Sequence, residues 1–407
     1  MYNPNEEKLD DICRFIIKLG KAAHEYGSPA IRLENYLKRV TTTFGLVGEF
    51  HSTPTSMIFA FKKDEADWQK LNLSSVTGGL DLTKLPLLDE IVDELAAGNL
   101  SISEAESRMN TVEKSTDPYG KWMVAFGYVA LGAGIAGLFS GSWLDILFSA
   151  LLSIFVYLIV WYSGRKGGWL ADSIPFSTAL VAGGLAIALK HPFPELNYVL
   201  VTVSAIIVLV PGYSVSMGVA ELVNDHVLSG FSNLINGLIY LFKQFIGAWL
   251  SFSIIGAIWV TKTGSGIPIN PIWLWLFVPS VFIGLIIVFQ TAPRYVVWAF
   301  LSATIGYLGV TYGSELMGSN MGNMIGAALV GMFANAWEWK VGKPGSIVLL
   351  PAITVLVSGS IGFRGLVASA QGDVAGTGQF LDMFLIAFTL TAGLVIANTF
   401  IKPKKSL

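Results

Sequence analysis

The sequence predicts a polytopic α-helical membrane protein. About ten transmembrane helices form two inverted five-helix repeats, preceded by a small α+β cytoplasmic N-terminal domain. Three observations carry that expectation. First, 53% of the 407 residues are hydrophobic and only 13% are charged, a balance foreign to soluble globular chains. Second, the charge is segregated. Residues 1–118 hold 13 Lys and Arg against 19 Asp and Glu, and the other 289 residues hold 13 against 9. Third, an interrupted apolar element occurs twice. Val208–Leu222 reads VLVPGYSVSMGVAEL and Val355–Val367 reads VLVSGSIGFRGLV; aligned from Val208 and Val355 they share Val, Leu, Val, Gly and a later glycine, Gly218 against Gly365. Lipid offers no replacement hydrogen bonds, so irregular backbone at membrane depth survives only against protein or a water-filled cavity. Paired interruptions in the two halves of a membrane protein point to a transport site.

The expected divisions are a domain over 1–118, a first five-helix repeat over 119–265, and a second repeat with a basic tail over 266–407. Within the first, Asp10–Gly27 places Ile12, Phe15, Ile16 and Leu19 at helical spacing. Gly27-Ser28-Pro29 ends that helix and starts another carrying Leu33, Tyr36, Leu37 and Val40. Thr41–Phe61 reads as strands broken at Ser52-Thr53-Pro54. Leu85–Ala97 and Ser103–Val112 read as amphipathic helices, the second with Ser103 as its N-cap. His24-Glu25 and His51 resemble no metal site: a zincin helix needs a second histidine four residues on, and position 28 is serine. No catalytic residue, metal ligand or cofactor is predicted. The single cysteine, Cys13, forms no internal disulfide. The first apolar stretch is short and interspersed with charge, unlike a signal peptide. A net charge of −2 gives no footing for nucleic acid.

Ten spans are expected, near 122–139, 143–162, 173–190, 196–219, 233–260, 272–290, 294–312, 317–337, 345–366 and 380–401, each close to the ~20 residues that cross a bilayer. Tryptophans such as Trp122, Trp143, Trp169, Trp273 and Trp339 lie near span ends, as an aromatic belt does. Lys121, Arg165, Lys166, Arg294, Lys340, Lys343, Lys402, Lys404 and Lys405 fall on one side, and Lys190 and Lys262 on the other. The positive-inside rule then sets both termini in the cytoplasm. Asp172 and Asp382 sit near span ends and read as interfacial.

Charge at membrane depth is expensive, and the groups that persist there are functional or paired. Lys243 lies about ten residues into its span, near the midplane, and Arg364 follows the second glycine element; either can meet a carboxylate, or mark the membrane edge by snorkelling. Glu221 and Asp225 are spaced i,i+4, with His226 adjacent; they can carry a proton, or form a polar loop at the interface. Pro211, Gly212, Ser214, Ser216, Ser358, Gly359 and Ser360 are the backbone and hydroxyl candidates for substrate binding.

The chain resembles the threonine/serine exporter family. The motifs are LGKAAHEYGSPAIRLENYLKRV and GLVGEFHSTPTSMIFAF in the head, LVPGYSVSMGVAELVNDHVLSGFSNLINGL in the body, and PAITVLVSGSIGFRGL later. The resemblance implies a cytoplasmic N-terminal domain, ten spans, and proton-motive-force-driven export of threonine and serine, with lipid as surroundings and homo-oligomerisation left open. Carried over by motif, it points to Pro211, Gly212, Glu221 and Gly230, and to Gly359, Gly362, Arg364 and Gly365. Ser358-Gly359 stands where relatives often have Pro-Gly, and some two-chain relatives are linked to dicarboxylate export, so succinate-like solutes stay open. A membrane-anchored hydrolase acting through the head and a passive channel are the readings from other classes.

Overall fold

The computed structural model describes residues 4–62, 70–76, 79–259, 264, 266–356 and 359–404. Lys262, Ser358 and Lys405 lie outside the described residues. The head opens on α1 (Pro4–Glu25) and α2 (Ala30–Thr43), continues through β1 (Val47–Ser52), β2 (Ser56–Lys62) and β3 (Lys70–Ser75), and closes with α3 (Leu85–Ala96) and α4 (Ile102–Glu113). Gly27, at φ +97°, turns the chain between the first two helices, a conformation that glycine adopts without steric cost. The strands pair antiparallel in the order β1-β2-β3, with Phe50 opposite Phe59 and Ile58 opposite Leu73. β2 buries Met57, Phe59 and Phe61, the period-two pattern of a sheet with one covered face. Those residues pack on Phe15, Ile16 and Leu19 of α1 and Leu33 and Leu37 of α2.

Two details of the head correct the sequence reading. Thr41–Thr43 continues α2 instead of starting a strand. Each hydroxyl donates to the carbonyl four residues back, at 2.6, 2.9 and 3.1 Å, so these polar groups are satisfied inside the helix. α4 is capped by Ser101, not Ser103. Glu104 Oε2 accepts from Ser101 N at 2.8 Å while Ser101 Oγ accepts from Glu104 N at 3.3 Å, a reciprocal capping box.

The body contains α5 (Lys121–Leu138), α6 (Trp143–Lys166), α7 (Gly168–Asp172), α8 (Ile174–Lys190), α9 (Tyr198–Ile206), α10 (Gly212–Val223), α11 (Val227–Ile258), α12 (Leu274–Val288), α13 (Val296–Met317), α14 (Ser319–Val341), α15 (Ser346–Leu356), α16 (Gly359–Ala370) and α17 (Ala375–Phe400). Among the described residues, seven helices are long and apolar enough to cross a membrane, or eight if the bent pair α9–α10 counts as one span. The expected ten is not reached. α8 is apolar but has 17 residues, and α14 starts SNMGNM and ends EWKV, so polar groups shorten its apolar stretch. α9 and α10 meet at 58°. α15 and α16 count together as one candidate span on either side of residues 357–358.

α5 and α12 pack antiparallel. A Cβ on Gly127 would meet Ile287 and Val288, one on Gly134 would meet Val281, and one on Gly137 would meet Phe277. Small residues bring these backbones together, which suits helix packing in lipid. α6 packs on α9, α8 on α11 and α10 on α11; later, α13 packs on α15, α14 on α17 and α16 on α17.

The head is joined to one end of this bundle. Leu82 N donates to the Phe289 carbonyl at 3.1 Å, and Thr83 Oγ1 donates to the Gln290 carbonyl. Glu90 pairs with Lys343 at 2.7 Å and with Arg294 at 3.2 Å. Arg32 Nη1 lies 3.9 Å from the fully buried Glu338 carboxylate. Leu350 of α15 is buried in the head's own core, with Tyr213 and Phe289 packed against it.

Candidate functional site: a cavity where two interrupted elements meet

Proline at position 211 cannot extend the preceding helix. The chain passes from α9 through a short 3-10 turn, Ile207–Leu209, to Pro211 at φ −80° and ψ 39°, which stands as N-cap of α10. No side chain caps α10, so its first turn presents main-chain N–H groups and the positive end of a helix dipole. Gly359 comes against this point from the other half. A Cβ there would stand 2.8 Å from Gly212 Cα and 2.9 Å from Gly212 N, so hydrogen alone fits.

A cavity of about 820 Å³ opens at this meeting point. Val208 to Ser214 line it from the first element, and Val355, Leu356, Gly359, Ser360 and Ile361 line it from the second. Asn233, Asn236, Gly237 and Tyr240 of α11 contribute a polar strip, Ser314, Asn320 and Asn323 another, and Asp382 of α17 a carboxylate. A smaller cavity of about 300 Å³ adjoins it under the head. The two share Pro54, Leu80, Tyr213, Ser214 and Asn233 as lining residues. The smaller one is otherwise bounded by His24, Gly27 to Ala30, Glu221 and Ser229.

The predicted residues divide accordingly. Pro211, Gly212, Ser214, Gly359 and Ser360 face the larger cavity. Glu221 faces the smaller one; its Oε2 accepts from Ser229 Oγ at 2.8 Å and Asn233 Nδ2 at 2.7 Å. Ser216 is buried outside both linings, its hydroxyl without a partner among the described residues. Asp225 occupies the turn after α10 at φ +64°, which aspartate tolerates better than most residues. His226 Nδ1 lies 3.5 Å from Glu34 Oε2 of the head. Ser358 is outside the described residues.

The two intramembrane cations are not in either lining. Lys243 is exposed, with Nζ 3.5 Å from the Asp172 carbonyl at the end of α7. α11 runs 32 residues from Val227, which sets Lys243 midway along the helix. Arg364 lies over the Phe139 ring at 4.3 Å, its Nε buried without a partner among the described residues. Asp382, read as interfacial, lines the large cavity instead. α17 begins at Ala375 rather than near 380, so the residue sits two turns inside. Tyr240, Asn320 and Asn323 were also missed; no periodicity separates a lumen-facing polar residue from one that joins helices.

The head holds a second polar group. Glu34 Oε1 accepts from Ser52 N at 2.8 Å and lies 3.6 Å from His51 Nδ1. Ser52 Oγ and His24 Nδ1 stand 3.4 Å apart, and His24 Nε2 is 3.4 Å from the Pro54 carbonyl. Burial lowers the His24 pKa below the ordinary imidazole value, with the Pro54 carbonyl opposing. This hydroxyl–imidazole pair escaped the sequence reading because the partners are 28 residues apart. Ser52 is fully buried and lines neither cavity, and Glu34 faces His51 and His226 rather than His24. A serine nucleophile needs an accessible hydroxyl and an oriented base, and this arrangement supplies neither.

The family described as "Putative threonine/serine exporter" matches over residues 14–255, which span most of the head and the bundle from α5 into α11. An uncharacterized protein of Schizosaccharomyces pombe is 24% identical over 87% of this chain and 44% of its own length. Pheromone-regulated membrane protein 10 of Yarrowia lipolytica is 24% identical over 88% of this chain and 30% of its own, and that of Saccharomyces cerevisiae 25% identical over 86% and 46%. The chain thus spans less than half the length of these relatives. No solved structure matches.

Proposed function

The chain belongs to the threonine/serine exporter family, and on that premise we propose that it is a secondary transporter exporting threonine and serine from the cytoplasm, driven by the proton motive force. The observation that carries the proposal is the contact of Gly359 with Gly212 on the wall of the 820 Å³ cavity. Two elements from opposite halves meet where main-chain groups are free to hold a solute. The antiparallel α5–α12 contact and the recurrence of α8–α11 as α14–α17, and of α10–α11 as α16–α17, support reading the halves as inverted repeats.

In this mechanism the head lies in the cytoplasm, where the excess of basic loop residues belongs. Solute enters beneath the head through the smaller cavity, past Glu221, and reaches the uncapped end of α10. There the amide N–H groups and Ser214 hold its carboxylate. Rocking of the halves about the close α5–α12 contact then exposes the site to the other side. Glu221 is the proposed proton carrier, set between the entrance and the binding point. Purified protein in liposomes tests this: threonine, serine and succinate are offered with and without an imposed pH gradient. Gradient-dependent movement of threonine or serine is expected. Movement of succinate alone would replace the substrate class, equal rates without a gradient would make the protein a passive channel, and no movement would end the exporter reading.

A further inference from the structure

We infer that Asp382 is the residue that reads the substrate's ammonium group, and that it makes the cavity selective for amino acids over dicarboxylates. The inference rests on the transport reading above and names the chemistry of that same site. Asp382 is the one carboxylate, and no Lys, Arg or His stands beside it, among the described residues lining the large cavity. It makes no hydrogen bond or ion pair among the described residues. It stands seven residues from the start of α17, a candidate membrane span, which is about 10 Å of helix. Its side chain is exposed, so a solute in the cavity can reach it, and an acid within a span is expected to find a partner.

The packing of the two halves shows why this position is special. A Cβ on Gly218 would lie 2.8 Å from the Gly230 carbonyl, and one on Gly365 would lie 2.7 Å from the Gly376 carbonyl. The same contact therefore seats α11 on α10 and α17 on α16. Six residues beyond those partner glycines stand Asn236 and Asp382, and ten beyond stand Tyr240 and Ile386; all four line the cavity. The halves offer the solute matching positions, one a neutral amide and the other a carboxylate.

That asymmetry polarises the site. The α10 terminus presents about half a positive charge, and Asp382 presents a full negative one. Lys243 and Arg364 both lie outside the lining. A zwitterion satisfies both poles, with its carboxylate on α10 and its ammonium on Asp382. A dicarboxylate brings a second negative charge toward Asp382, with no cationic side chain in the lining to offset it.

The test uses the full chain in liposomes, with labelled L-threonine counterflow and three unlabelled competitors: L-serine, 3-hydroxybutyrate, which lacks the ammonium group, and succinate. With the wild type, serine is expected to compete and the two ammonium-free acids to compete at least tenfold more weakly. Asp382→Asn is expected to raise the threonine KM at least tenfold while narrowing the gap to 3-hydroxybutyrate. Asp382→Glu is expected to restore much of the discrimination, and Asn236→Asp to leave the preference for an ammonium group intact. An unchanged threonine KM in Asp382→Asn, or wild-type protein blocked equally by 3-hydroxybutyrate and serine, would overturn the assignment while leaving the exporter reading standing. Wild-type protein that moves none of these solutes would sink both. The competition pattern of the wild type keeps the assignment open to refutation even where a variant fails to fold.

Discussion

The two interrupted elements end in different surroundings. From Gly212, α10 runs to Glu221, which is held by Ser229 and Asn233, and on to His226, which meets Glu34 of the head. Beside it the head is fastened through Arg32–Glu338 and through Glu90 with Lys343 and Arg294. From Gly359, α16 runs the other way to Arg364, whose guanidinium rests on the ring of Phe139. One backbone device is thus secured by several charged and hydrogen-bonded contacts at the head end, and at the other by a stacked ring and a 2.8 Å hydrogen bond from Gln371 Nε2 to the Tyr198 hydroxyl. Opening the head end means breaking ion pairs, one of them buried; opening the opposite end means sliding a ring off a cation and breaking one neutral hydrogen bond.

The largest expected effect is at the head end. Arg32→Met removes the cation 3.9 Å from the buried Glu338, whose Oε2 still accepts from Gly345 N, and breaking a buried pair costs up to about 3–5 kcal/mol. Arg364→Met removes a cation–π contact worth roughly 0.5–2 kcal/mol. Thermal midpoints of the two purified variants should therefore differ clearly, with Arg32→Met lower; equal losses would break the contrast between the ends.

At the shared middle, Gly359→Val drives a branched side chain into Gly212, and overpacking of this kind costs about 1–3 kcal/mol. Its loss should fall between those two, accompanied by loss of threonine flux. Gly218→Ala and Gly365→Ala probe the matching contacts, where an added Cβ would lie 2.7 Å from Leu234 N and 2.6 Å from Phe380 N. Their midpoints should drop by similar amounts; a drop in only one would mean that the halves are not built alike.

The smallest effect is a pH dependence confined to the head. Burial holds the His24 pKa below its unfolded value of about 6.5. The folded head therefore favours the neutral ring, and below about pH 6.5 the unfolded chain binds a proton that the folded chain resists. Stability contributed by His24 is present above that pH and is lost as pH falls through it. His24→Gln should flatten this part of the profile of proteolysis within the head; a variant that tracks the wild type would remove His24 as the cause.

The first interruption was legible because lipid leaves a helix breaker few places to stand: Pro211-Gly212 in an apolar run has a chemical meaning that no neighbour needs to supply. The head's four helices and first hairpin were legible from their spacing. β3 was not, because KLNLSS carries too little apolar alternation to announce a strand. α11 begins six residues before the expected start and α17 five before, which leaves Lys243 midway along its helix and sets Asp382 two turns inside its own. The Ser52–His24 contact depends on the turn from α1 to α2 and on the fold of β1, which no local pattern encodes. Seven or eight helices among the described residues meet the length and apolarity of a span, against the expected ten, because α8 is short and polar ends trim the apolar stretch of α14.

Leu350 is a residue of α15 in the helical bundle, yet it is buried in the core of the head. Each part therefore completes the other, and severing the chain near residue 118 would yield two unfinished pieces, a head with a hole in its centre and a bundle with a greasy scar. Under the proposed transport reading, any movement of α15 would carry Leu350 within the head's core and so would couple that domain to the cycle.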